Sequence, residues 1–225
     1  MTQYCSPIEL RTQIDKTGVT GSGSDAALTV LIEAVSQGID NFCNRPDGFL
    51  APAVGVARIF SGSGKAWQRI DECAAISLVE VKDSPSDTTY VAWAGTDWIP
   101  FSGDVENPDF NRLPYTGIMC DPNGDYSVFT SSVYTGLRGF RPSGEGYSHA
   151  VPTVRATSRW GYALTVPPVI KETAIALSSR WMKQGQSAWA DTLASPELAT
   201  LIYRRENADI RWMLESGRFI RPTVG

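Results

Sequence analysis

Apolar residues recur with a helical period at both ends of the chain, and between them lies a stretch with the texture of strands and turns. This alternation constrains the fold more than any single motif, because a 3.6-residue period and a two-residue period cannot share one element. Residues 51–155 hold 13 of the 23 aromatic residues and 11 of the 20 glycines. Large flat side chains suit a half-buried pleated surface, and glycines supply turns at short intervals. The middle is therefore expected to be β-rich and the ends helical.

The first helix is marked by Ser6-Pro7-Ile8-Glu9, with serine at the cap, proline at the first helical position and an acid in the first turn. Ile8, Leu10 and Ile14 give it a short apolar face. The glycine-rich run Gly18 to Gly23 breaks it. Ser24 or Asp25 then caps a longer helix whose apolar residues are Leu28, Leu31, Ile32, Val35, Ile39 and Phe42, ended by Pro46-Asp47-Gly48. Strand candidates follow at Val54–Phe60, Trp67–Ile70, Ala75–Val81, Thr89–Trp93, Leu113–Met119, Ser127–Thr130 and Val151–Thr157. Ser61-Gly62-Ser63-Gly64 reads as a turn, and Asp97 to Asn111 as a long acidic loop.

Helix returns after Val166-Pro167-Pro168, with Ile170, Ala174, Leu177 and Trp181 on one side and Gly185 as its stop. Ser195-Pro196-Glu197 reads as a further N-cap, leading a helix through Leu198, Leu201, Ile202, Arg205 and Trp212 to Gly217. The architecture expected is α+β: a helical bundle formed by both chain ends, residues 1–50 and 156–225, with an antiparallel β-rich domain, residues 51–155, inserted in a helix–helix connection.

Several function classes are disfavoured by what the chain carries. Its net charge is −4, whereas a sequence-independent DNA binder needs a basic surface to neutralise phosphates. No apolar run reaches the roughly 18 residues of a membrane helix. The first residues show no basic patch followed by an apolar stretch, so no secretory signal is expected. The cysteines, at 5, 43, 73 and 120, form no C-x-x-C pair and no disulfide framework, which favours buried thiols in a reducing compartment. The one histidine, His149, lies in a loop-like stretch and is the only imidazole available to a nucleophile–histidine site. Ser61-Gly62-Ser63-Gly64-Lys65-Ala66 fails the phosphate-loop pattern at both ends.

Asp97, Asp104, Glu106 and Asp109 gather beside Trp93, Trp98 and Phe101. Two carboxylates across a sugar with an aromatic platform would suit a glycosidase. A solvated acidic loop is the plainer reading, and the spacing does not match a calcium loop. The aromatic middle also admits a glycan- or receptor-binding β module, although strand aromatics more often fill a core. Arg204, Arg205 and Arg211 make one side of the last segment basic.

Four stretches resemble the head–tail connector (head-completion adaptor) proteins of long-tailed bacteriophages. They are Ile8-Glu9-Leu10-Arg11; the helix from Leu31 through Ile39-Asp40-Asn41-Phe42-Cys43-Asn44-Arg45; Arg58 to Gly64 continuing through Ile70-Asp71-Glu72; and Arg159-Trp160-Gly161-Tyr162 followed by Val166-Pro167-Pro168 to Ala174. Residues 83–150 lie outside the resemblance.

The resemblance implies a structural virion protein of the neck, a subunit in a homo-oligomeric ring of about a dozen copies. Its implied partners are the capsid portal protein and a stopper or tail-completion protein, with DNA passing through the channel without specific binding. It implies no enzyme activity, no cofactor and no metal. A net acidic lumen would let DNA slide, since attraction to phosphates would hold it. A head-to-tail ring needs two different adhesive faces per subunit. Trp181, Trp189, Tyr203, Arg204, Arg205 and Trp212 are the candidates for subunit contact, and Arg218, Phe219, Ile220 and Arg221 for a portal-docking tail.

Overall fold

The computed structural model describes residues 3–16, 25–132, 151–186, 192–195, 198–202, 208–217 and 219–221. The chain divides into two compact units: Met1–Leu50 with Thr165–Gly225, and Ala51–Leu164.

The second unit is a seven-stranded antiparallel sheet. Its strands are β1 (Val56–Ser61), β2 (Trp67–Val81), β3 (Val91–Ala92), β4 (Trp98–Gly103), β5 (Pro108–Asp109), β6 (Tyr115–Cys120) and β7 (Pro152–Trp160). They lie in the order β1-β7-β2-β6-β4-β5, with β3 pairing on β2. β2 is one strand of 15 residues, where the sequence predicts Trp67–Ile70 and Ala75–Val81 as separate strands. Its register slips on both sides of Cys73, so the strand absorbs the charged residues as irregularities and does not turn. The expected acidic loop contains β4 and β5. Pro100 lies opposite Ile118 in β4, and β5 meets β4 only at Ser102 and Gly103. The core on one face is built from Ile70, Val79, Ile118, Val154 and Trp160, with Trp93 stacked between Tyr126 and Phe129. Residues 127–130 form no strand; Phe129 is fully buried and its N–H donates to the Lys65 carbonyl at 2.9 Å.

The first unit holds α1 (Pro7–Lys16), α2 (Asp25–Phe42), α3 (Pro168–Gln186), a hairpin of β8 (Thr192–Ser195) and β9 (Leu198–Ile202), and α4 (Ala208–Ser216). α1 starts on a capping box: the Ser6 hydroxyl accepts the Glu9 N–H at 3.2 Å, and the Glu9 carboxylate accepts the Ser6 N–H at 2.8 Å. Leu28, Ile32, Val35 and Ile39 of α2 are buried, as their spacing predicts. Lys171 of α3 forms an ion pair with Glu9 of α1.

The expected bundle formed by both chain ends is overturned. Among the described residues the protein is mostly an antiparallel sheet, with four short helices that do not make such a bundle. α1 and α4 have only ten and nine residues, too short to run the length of a bundle. The largest departure from the expected helices is around Ser195-Pro196-Glu197. Residues 192–195 and 198–202 on either side of it pair antiparallel, with Thr192 opposite Ile202 and Leu193 opposite Leu201. A cap signature and a turn signature use the same residue types, and the flanking segments pair as strands rather than continue as a helix.

Candidate functional site

Gly217, Phe219 and Arg221 are bound into the first unit. Gly217 follows α4 directly, and the Phe219 ring lies so close over it that a Cβ there would be 2.4 Å from the ring. The Phe219 N–H donates to the Leu214 carbonyl at 3.0 Å. Its carbonyl accepts the Nε–H of buried Arg45 at 2.7 Å, across 174 residues of sequence. The ring is 8% exposed and meets Phe49 edge-on at 5.7 Å. One residue pair further, the Arg221 N–H donates to the Cys43 carbonyl at 2.9 Å. Of the expected docking tail, then, Phe219 is an internal peg, while Ile220 and Arg221 are half-buried. Arg218 lies outside the described residues.

Beneath this peg sits a polar clasp. Tyr4 is buried, donates its hydroxyl to Asp40, and accepts the Phe49 N–H at 2.8 Å. Burial pushes the Tyr4 hydroxyl well above its ordinary value, so it remains the donor. Burial also pushes the Asp40 carboxyl up, to about 6, against the downward pull of the Tyr4 hydrogen bond. The folded value lies above the unfolded one. Its stabilising contribution is therefore complete below the ordinary carboxylate range and is lost as pH rises through about 6. Asp40→Asn, which keeps an acceptor for Tyr4, is expected to flatten the pH dependence of unfolding between pH 4.5 and 7.5. The gain at the upper end should be on the order of 1–2 kcal/mol. Denaturant unfolding at several pH values reads this directly; an unchanged slope would refute it.

The subunit-contact candidates divide. Trp212 is 68% exposed and Trp181 39% exposed. α4 points Leu214 into the core and Trp212 outward, beside an Arg211–Glu215 ion pair of 2.8 Å. The fold makes little use of such an indole, whereas an interface would use it well. Trp189, Tyr203, Arg204 and Arg205 lie outside the described residues, as does His149. Sequence reasoning missed a second exposed surface: β1, where Val56 is 55% and Ile59 59% exposed. Its composition is that of any strand; only the pairing order reveals it as an edge.

The acids that suggested a glycosidase do separate jobs. Asp97 is buried and staples a turn, one oxygen accepting the Ala94 N–H at 2.8 Å and the other the Asp125 N–H at 3.1 Å. Asp104 pairs with Arg69 at 3.2 Å, and Asp109 accepts the Asn111 N–H at 2.9 Å. Trp93 is in the core. The thiols are poor nucleophiles, because burial pushes Cys5 and Cys43 to about 11 and Cys73 to about 12. Among the described residues, no three His, Cys, Asp or Glu side chains are placed to hold a metal ion.

No family model matches this chain, and no curated protein matches it in sequence. Among solved structures, it is similar to a chain from the neck of an empty GTA (gene transfer agent) particle, computed with C6 symmetry. The likeness covers 99% of this chain and 93% of that one, with a TM-score of 0.51 and 13% identity. At that identity the shared property is the fold.

Proposed function

We propose that the protein is a structural subunit of the neck of a phage-like virion, a head–tail connector that forms an oligomeric ring between the portal and the tail. The observation that carries this is the fold likeness to a chain of a particle neck, which spans nearly the whole chain and so includes both units. The exposed Trp212 and Trp181 support it as one of the two adhesive faces a closed ring requires. The net acidic charge supports a channel that lets DNA pass without holding it. Imaging of the purified, concentrated protein by negative stain, alone and with portal, is expected to show closed rings; a solitary subunit under both conditions would overturn the reading.

The portal is the proposed partner of residues 218–221, and a stopper or tail-completion protein that of the opposite side. Because Phe219 is engaged inside the first unit, docking uses the part of the tail around it. Ile220→Ala with Arg221→Ala is expected to weaken portal binding about tenfold or more while leaving the unfolding midpoint nearly unchanged. Pull-down on immobilised portal, with unfolding as a control, tests it. Removal of residues 217–225 is a poorer test, since it also takes the Phe219 peg out of the core.

A further inference from the structure

The two edges of the large sheet are treated differently. β4 carries Pro100 and is partly covered by β5, two devices that discourage another strand from pairing there. β1 carries neither. Its six residues contain one charge, Arg58, which is bound to Asp71 at 2.9 Å and lies over the Trp160 ring at 4.6 Å.

The direction of its free backbone groups can be worked out. On β7, the Thr153 carbonyl accepts the Lys82 N–H and the Thr157 carbonyl accepts the Ser77 hydroxyl, so the odd-numbered residues turn toward β2. Val154, Ala156 and Ser158 therefore turn toward β1. They stand opposite Phe60, Arg58 and Val56, which pair inward; the Val56 carbonyl also accepts the Trp160 indole N–H at 2.7 Å. Ala57 and Ile59 are left with N–H and C=O pointing away from the sheet, and no strand among the described residues pairs with them there. Such an edge is a template for another extended backbone.

The first unit supplies one that lacks a sheet. β8 and β9 pair with each other and with no other strand among the described residues. A two-stranded hairpin is marginal in water, and a third strand stabilises it. Neither Thr192-Leu-Ala-Ser195 nor Leu198-Ala-Thr-Leu-Ile202 carries a charge, so no charge opposes the neutralised β1 edge. β9 has five residues against the six of β1, so the lengths match. The contact candidates Trp189 and Tyr203 flank the hairpin in sequence.

We propose that the β8–β9 hairpin of one copy adds to the β1 edge of the next, forming the head-to-tail joint of the ring. This rests on the ring reading above. It also meets that reading's requirement, because donor strand and acceptor edge are two different surfaces on every subunit.

The test uses the full chain and native mass spectrometry. Ala57→Pro with Ile59→Pro removes the two outward N–H groups and leaves the bonds to β7 intact. Thr200→Pro disables the hairpin. Wild type is expected to form rings. Each variant alone is expected to run as a single subunit, with self-association at least about tenfold weaker. Mixed together, the variants should form a two-subunit species and nothing larger, since one keeps the hairpin and the other the edge. Rings from the proline edge variant, or from Thr200→Pro, would overturn the strand-addition joint while leaving the ring reading standing. A two-subunit species from Thr200→Pro alone would point to β1 pairing with itself and also overturn the joint. Wild type that remains a single subunit at high concentration would overturn the ring reading instead. Should the double proline variant unfold, Ile59→Lys carries the same test, because that side chain is already exposed.

Discussion

The Phe219→Ala variant is expected to lose about 3–4 kcal/mol of the stability of the helical unit, the range for deleting a buried aromatic ring. The site has little freedom to collapse. The ring sits edge-on to Phe49, which in turn meets Tyr4 edge-on at 5.9 Å. Both neighbours are fixed by hydrogen bonds, Tyr4 through Asp40 and Phe49 through its own N–H to the Tyr4 hydroxyl. Arg45 holds the Phe219 carbonyl, so alanine leaves that bond in place. Trp212→Ala deletes a larger side chain yet is expected to shift stability by no more than about 0.5 kcal/mol, because the indole is mostly in water. Denaturant unfolding of the two variants side by side separates a peg from an adhesive surface. A neutral Phe219→Ala would mean that the tail is not seated as described.

The contrast shows what the sequence could and could not reveal. Phe219 and Trp212 both read as surplus apolar residues near a basic end. Their difference depends on Arg45 and Phe49, some 170 residues away, and no local pattern encodes that separation. Local chemistry was legible where one element decides its own form. The Ser6–Glu9 cap and the Leu28, Ile32, Val35, Ile39 stripe of α2 are such cases. It misled where neighbours decide. Trp67–Ile70 and Ala75–Val81 look like separate strands, but they run on as one, β2, because β6 and β7 accept its irregular register and Arg58 takes the charge of Asp71. Ser195-Pro196-Glu197 looks like a helix cap, but the segments around it pair as strands. The bundle expectation fails at that hairpin and at the shortness of α1 and α4. The edge character of β1 was invisible for the same reason: it is a property of the order of strands.

Gly62→Ala is expected to be about as damaging as the loss of Phe219, at roughly 3 kcal/mol or more, although it adds a single methyl group. The turn after β1 is recognisable in the sequence, but not what lies across it. A Cβ at Gly62 would stand 1.9 Å from the Thr130 carbonyl oxygen and 2.1 Å from the Thr153 hydroxyl. Those two groups bond each other at 2.7 Å, and the Gly62 carbonyl accepts the Ser132 N–H at 2.9 Å. A backbone carbonyl stands nearest in that space, and the Thr153 hydroxyl beside it is tied to that carbonyl, so the strap of residues 129–132 must lift. Lifting it withdraws Phe129 from its stack on Trp93 at 4.9 Å and opens the core of the sheet. Gly38→Ala is the internal control. Gly38 lies inside α2 with nothing within 4 Å of an added Cβ, so the same substitution should stabilise by about 0.5–1 kcal/mol through helix propensity. Urea unfolding gives the sign of each change. Near-ultraviolet circular dichroism of the Trp93 stack shows whether Gly62→Ala lifts the strap. A native spectrum with undiminished stability would mean that the strap does not press on the turn.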